Sequence, residues 1–258
     1  MVTLGSPFKV FWTAAKDLFD EMLLLMLANL IWIAINLPLL GLALFFWVGQ
    51  AYLLAGVAAL LGLIPFAPAT AALCVVAQRI AEGRVANIGL YFEGLREYWR
   101  PALAVFLPWG LILGVILVNL VFYAQLGNIV GLALLCIFLY LLFVWFSLLI
   151  YAGPLLVLQT DKRVRVVARN AFVMALGRPL FTLITLVLMG AFVVLSVYLF
   201  IPLLIVTFSF LAMWGFRATL RLVQDSEARQ AAREAAQAGQ PAPQSAGKGR
   251  GGQVRPRE

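Results

Sequence analysis

The chain has no histidine, two cysteines among 258 residues, and few charges: Asp, Glu, Lys and Arg together make up 12%. Each shortage removes a class of chemistry. Without histidine, no imidazole can serve as base for a serine or cysteine nucleophile or as a metal ligand. Ser147 and Ser196 stand with no visible base. Cys74 and Cys136 both fall in apolar runs, and two sulfurs without histidine read as small buried hydrophobes rather than a disulfide or a metal site. No phosphate-cradling glycine loop is present, which argues against an ATPase subunit. We therefore expect no enzymatic activity, no cofactor and no metal.

Charge is missing in a pattern. Residues 22–78, 101–160 and 179–216 contain no Asp, Glu, Lys or Arg. The whole chain is 64% hydrophobic, against about 45–50% for a soluble domain. A spanning helix needs about 20 apolar residues, so the first two runs each hold two crossings and a turn. The third, as one straight helix, would be about 57 Å long, nearly twice a hydrocarbon core of about 30 Å. It must fold back, most simply near residues 198–202. The sequence thus predicts crossings at 22–48, 52–78, 102–124, 129–158, 180–197 and 201–220, with short outer turns at 49–51, 125–128 and 198–200. The first apolar run lies behind an amphipathic segment and is too long for a signal-peptide core, so it is expected to remain as a helix.

What charge there is sits between those runs. All nineteen basic residues, and all eleven acids, fall in residues 1–21, 79–100, 161–178 and 217–258. Six crossings put all four segments on one face, and the positive-inside rule makes that face cytoplasmic. The net charge of +8 is read as topology, not as affinity for nucleic acid, since no RNA-binding signature accompanies it. Absence of ionisable residues within the crossings argues against a proton-coupled transporter made of this chain alone.

The fold class expected is all-α: a polytopic helical bundle of three transmembrane hairpins, each preceded by an amphipathic cytoplasmic elbow. Residues 1–21 form the first elbow, an interfacial helix with Phe8, Phe11, Trp12, Ala15 and Phe19 on one side and Ser6-Pro7 at its start. In the second, Phe92, Leu95 and Trp99 recur at helical spacing beside Arg96 and Arg100. In the third, Val166, Val167, Ala171 and Ala175 are flanked by Arg165, Arg169 and Arg178. Both inner loops end in Arg-Pro, at Arg100-Pro101 and Arg178-Pro179. Residues 22–222 form the transmembrane domain. The tail, 223–258, continues as a helix to about residue 237 and then turns to Gly, Pro, Gln, Ser and basic residues, a composition too poor in apolar side chains to order itself. Its arginines are read as a solvated topological anchor, with contact to anionic lipid as the alternative.

The stretch Ile64-Pro65-Phe66-Ala67-Pro68-Ala69-Thr70 organises the reading. Proline removes a backbone donor and clashes with the carbonyl four residues back, so Pro65 and Pro68 predict a helix break that neighbouring helices must shield. Asn29 and Asn36, seven apart, share a face of the preceding helix. With Thr70 they offer two readings. One is a polar pocket for an uncharged ligand beside broken backbone; the other, favoured, is that the asparagines satisfy the carbonyls that proline frees. If Arg79 marks the inner interface, Pro65 lies roughly 21 Å above it. Trp12, Trp99 and Trp214 are expected in interfacial belts, and Asn119 is expected to bond between helices.

Asn29-Leu30-Ile31-Trp32, Asn36-Leu37-Pro38, Pro68-Ala69-Thr70-Ala71-Ala72-Leu73 and the stretch from Arg79 to Gly83 resemble the YesL-like family of bacterial integral membrane proteins, a domain family of unknown function. That family shows an Asn-Leu-Leu-Trp run, a Leu-Pro, a Gly-Pro-Ala-Thr-Ala-Ala-Leu segment and an aromatic, basic elbow, which Tyr91-Phe92 to Trp99-Arg100 matches. Ala67 replaces the family's glycine, and about twenty apolar residues, 42–63, separate motifs that lie close together in family members. Such proteins often accompany genes for carbohydrate uptake by ABC transporters. The resemblance therefore implies an accessory role in sugar transport or sensing, with a transporter or sensor protein as partner, in a bacterial cell membrane. A stand-alone facilitator for a small neutral solute and a membrane-organising protein are the alternatives.

Overall fold

The computed structural model describes residues 5–237. These form ten helices: α1 (Ser6–Asp20), α2 (Met22–Val48), α3 (Tyr52–Ala81), α4 (Gly89–Glu97), α5 (Trp99–Ala124), α6 (Ile129–Leu158), α7 (Val164–Gly177), α8 (Pro179–Leu199), α9 (Ile201–Ile205) and α10 (Thr207–Gln237). Five of them, α2, α3, α5, α6 and α8, are long and apolar enough to cross a membrane, and the chain is a multi-pass helical membrane protein. Helices α2 and α6 occupy the expected residues, while α3, α5 and α8 extend theirs by one to three residues at an end. The turns fall where composition placed them. Gln50, Gly127 and Phe200 take positive φ values of 59°, 61° and 58°, and Asn128 caps α6 by accepting the Gly131 amide at 2.7 Å.

The return limb of the third hairpin departs from expectation. One helix over 201–220 was predicted; instead α9 has five residues, the chain breaks at Val206, and α10 starts at Thr207. Its apolar part reaches only to Phe216 before Arg217, and no span-length apolar window exists there. The helix expected up to about residue 237 is present as the far end of α10; the tail beyond, expected to lack order, lies outside the described residues.

Burial divides the long helices crosswise. On α3, Tyr52, Leu53, Leu54, Val57, Leu60, Leu61 and Ile64 are exposed, whereas every residue from Ala67 to Cys74 except Thr70 is buried. On α6 the exposed half is the first and the buried half runs from Tyr151 to Val157. The buried halves are wrapped by α1, α4, α7 and α10. Small residues permit this close approach: Gly94 of α4 sits against Ala72 and Val75 of α3, where an added Cβ would lie 3.1 Å from the Ala72 Cα, and Gly153 of α6 faces the Cys74 sulfur. Trp214 belongs to this packed half, 1% exposed with its ring 4.9 Å from Phe11, and not to an interfacial belt; Trp12 and Trp99 are exposed.

Candidate functional site

Asn29 is a fully buried polar residue on α2. A carboxamide has two N–H donors and an oxygen with two lone pairs, and here all four are used on the α9–α10 break. Its Nδ2 donates to the Leu204 carbonyl at 2.6 Å and the Leu203 carbonyl at 3.3 Å. Its Oδ1 accepts the Phe208 amide at 2.8 Å and the Ser209 amide at 3.2 Å. These are the carbonyls left over at the end of one helix and the amides left over at the start of the next. The Thr207 hydroxyl and the Val206 amide both donate to the Pro202 carbonyl at 2.9 Å. One side chain and one turn thus satisfy an interrupted backbone that hydrocarbon would leave unpaired.

Trp32, one turn along α2, carries the connection onward. Its ring stacks on Phe208 with centroids 3.9 Å apart, and its Nε1 donates to the Thr70 hydroxyl on α3 at 3.1 Å. Asn36, also buried, donates to the Trp32 carbonyl of its own helix at 2.7 Å. Asn29, Asn36 and Thr70 are therefore brought into one region, joined through Trp32, a residue sequence reasoning left without a role. The signal for it was present: an indole among buried polar residues needs an acceptor. Asn119 bonds the Val115 carbonyl of its own helix, not a neighbour.

The predicted break at Pro65–Pro68 does not occur. Helix α3 is continuous from Tyr52 to Ala81, as α2, α5 and α6 are through Pro38, Pro108 and Pro154. Each proline removes one ladder bond on one side of a helix; the remaining bonds, and packing of Ala67, Ala69, Ala71 and Ala72, all fully buried, keep α3 intact. Asparagine does stitch interrupted backbone, but the interruption lies on a different helix.

The second elbow is turned relative to its predicted face. Tyr91, Gly94 and Tyr98 are buried, whereas Phe92, Arg96, Trp99 and Arg100 face outward. Gly94 is what allows this, since α4 lies flush on α3. Docking at Ala72 carries the end of α4 along α3, so Arg96 and Trp99 share a groove with Pro65, Pro68, Ile35 and Leu95. Arg79 and Pro65 lie on the one continuous helix α3, so the rise of roughly 21 Å between them stands, and it is the second elbow that comes to the prolines. Arg100 lies over the Trp99 ring, 5.1 Å from its centroid. Burial pushes the Tyr91 phenol well above its ordinary range, and its hydroxyl has no partner among the described residues.

In the third elbow Val167, Ala171 and Ala175 are buried as expected and Arg169 is exposed. Arg178 is paired with Asp225 of α10, which also meets Arg229. The loop before this elbow reaches the second one, where Lys162 bonds Glu97 at 3.1 Å and lies 3.9 Å from the centre of the Tyr98 ring.

Comparison with curated proteins gave no match, and comparison with solved structures gave none. A family model described as a protein of unknown function, DUF624, matches residues 25–120. That segment runs from within α2 to near the end of α5, and so contains Asn29, Trp32, Asn36, Pro65, Pro68, Thr70 and the second elbow, while the Asn29-bound break at α9–α10 lies outside it. Residues 25–120 are the part of the chain that this model matches, and they hold the motifs on which the resemblance to the YesL-like family rests.

Proposed function

We propose that the chain is a non-enzymatic accessory subunit of a bacterial cell-membrane assembly, threading the membrane six times as three hairpins with both ends in the cytoplasm. The observation that carries this reading is the full engagement of Asn29. The polar groups of Asn29 are spent on the protein's own backbone, Asn36 donates to the Trp32 carbonyl, and Thr70 accepts from the Trp32 indole. A solute facilitator built around them would first have to break these bonds, so the facilitator reading is the weaker one. The α9 segment and the apolar start of α10 supply the sixth crossing in this reading, with Asn29 sealing the kink between them. The family resemblance points the accessory role toward a carbohydrate transporter or sensor.

Two experiments test it. Cross-linked purification of the full chain from native membranes should recover a protein partner in fixed stoichiometry, a solute-binding or permease component in the carbohydrate case. Recovery of the chain alone from mild detergent, together with sugar or polyol flux into reconstituted vesicles, would reverse the ranking. For topology, an impermeant amine reagent added to intact cells should leave Lys9, Lys16 and Lys162 unmodified and label them in inside-out vesicles; labelling from outside refutes the threading.

A further inference from the structure

The groove where the second elbow meets α2 and α3 has two unlike halves. Ile35, Pro65, Pro68 and Leu95 make an apolar wall, and Arg96 and Trp99 make the lip of a space of about 570 Å³. Proline contributes no N–H, so the α3 face here offers little to a water-soluble polar molecule. One turn outward on that same face, Leu61 is exposed, as is Ile64. The groove therefore runs without a polar step into the exposed apolar half of α3.

The lip is cationic. Arg96 lines the lip, and Arg100, not itself a lining residue, lies over the ring of the lip's Trp99; both are exposed, and among the described residues neither forms an ion pair. Glu97, the acid next to Arg96, is drawn away by Lys162. Glu93, three residues before Arg96, is the one other acid of this elbow and is exposed, leaving two guanidinium groups against one carboxylate. Guanidinium is suited to paired hydrogen bonds with phosphate oxygens, and tryptophan beside it is the residue type that settles at headgroup depth.

We infer that this groove is a binding site for an anionic phospholipid of the inner leaflet, with its phosphate on Arg96 and Arg100, its glycerol region against Trp99, and an acyl chain over Ile35, Pro65 and Pro68 toward Leu61. A soluble anion would use only the lip, and a zwitterionic choline lipid brings its phosphate together with a cation that the two guanidinium groups repel; charge and apolar surface on one continuous face select a lipid with net negative charge. The site is distinct from the basic tail; in the third elbow Arg178 is already paired with Asp225, while Arg165 and Arg169 are exposed and serve as the control for charge without this groove. The leaflet assignment rests on the topology proposed above, but binding itself does not, so the test is made in detergent.

The full chain, purified in an uncharged detergent, is supplied with dioleoylphosphatidylglycerol or dioleoylphosphatidylcholine, and lipid retained per chain is counted by native mass spectrometry. Wild type should retain the glycerol lipid about thirtyfold over the choline lipid, the size expected of two interfacial arginines. R96Q/R100Q should bring the ratio near one, while R165Q/R169Q and deletion of residues 238–258 leave it as in wild type. Excess inorganic phosphate should not displace the lipid. An unchanged ratio in R96Q/R100Q, displacement by phosphate, or loss on tail deletion overturns the site. Should R96Q/R100Q not fold, I35W decides, because it fills the groove and keeps both charges: wild-type retention of the glycerol lipid would refute the proposal, and loss of it would support it. Labelling of Lys9, Lys16 or Lys162 from outside intact cells, with lipid retention as expected, would instead count against the topology alone.

Discussion

Asp17 on α1 and Arg217 on α10 form a two-pronged ion pair across 200 residues of chain, Nε to Oδ2 at 2.6 Å and Nη2 to Oδ1 at 2.9 Å. A third bond runs from Arg217 Nη1 to the Ala81 carbonyl at 3.3 Å, at the end of α3. One guanidinium thus ties the first helix, the third and the last. Both side chains are mostly buried, at 14% and 22% exposure, so removing one partner strands the other. D17N should lower stability by about 3 kcal/mol and release α1, read as faster hydrogen exchange over residues 6–20. R217K should not restore wild-type exchange, because an ammonium cannot supply the paired geometry.

Asn29 gives a second expectation. N29A leaves two carbonyls and two amides without partners in an apolar setting, and should cost about 2–4 kcal/mol in a detergent unfolding titration. N29D keeps acceptors for Phe208 and Ser209 but loses both donors to Leu203 and Leu204. It should be at least as damaging as alanine. A wild-type midpoint for N29A would mean the break needs no clasp.

Docking of the second elbow is tested at Gly94 and Tyr91. G94A pushes a methyl to 3.1 Å from backbone of α3, so the elbow must shift, at a cost of about 1–3 kcal/mol. Y91F removes a buried hydroxyl that has no partner among the described residues; it should be neutral or stabilising by up to about 1 kcal/mol. Opposite signs for the two variants in thermal unfolding are the diagnostic result.

Lys162 supplies a pH dependence. Partial burial lowers its tendency to hold a proton, but the Glu97 carboxylate and the Tyr98 contact outweigh this and raise its pKa above the ordinary 10.5. A folded-state value above the unfolded one means that the contact contributes fully below pH 10.5 and is lost as pH rises through the folded value. K162M should therefore be less stable than wild type by a constant margin at neutral pH, and the two should converge in strong alkali. The margin itself is small, under about 1 kcal/mol, as for an exposed pair.

Much of this architecture was legible because hydrophobic runs and charge gaps act locally: the ends of α2 and α6, the three turns and the basic segments all follow from composition over 20 or so residues. The α9–α10 break was not. Pro202 hinted at it, yet Pro65 and Pro68 hinted more strongly at a break that does not exist. What decides between them is a partner far along the chain: Asn29 bonds residues more than 170 positions away, and no window of sequence contains both. The turned face of α4 escaped for a similar reason. Phe92, Leu95 and Trp99 are the larger hydrophobes, but Gly94 is the residue that fits against Ala72, and fit outweighs size where two helices touch.

The crosswise division of burial has a mechanical consequence. Helix α3 is held by α4 and α10 along its buried half, while from Tyr52 to Ile64 it presents exposed apolar side chains. Inserted as proposed, that outer half meets lipid tails, so its tilt follows bilayer thickness while the packed end stays fixed.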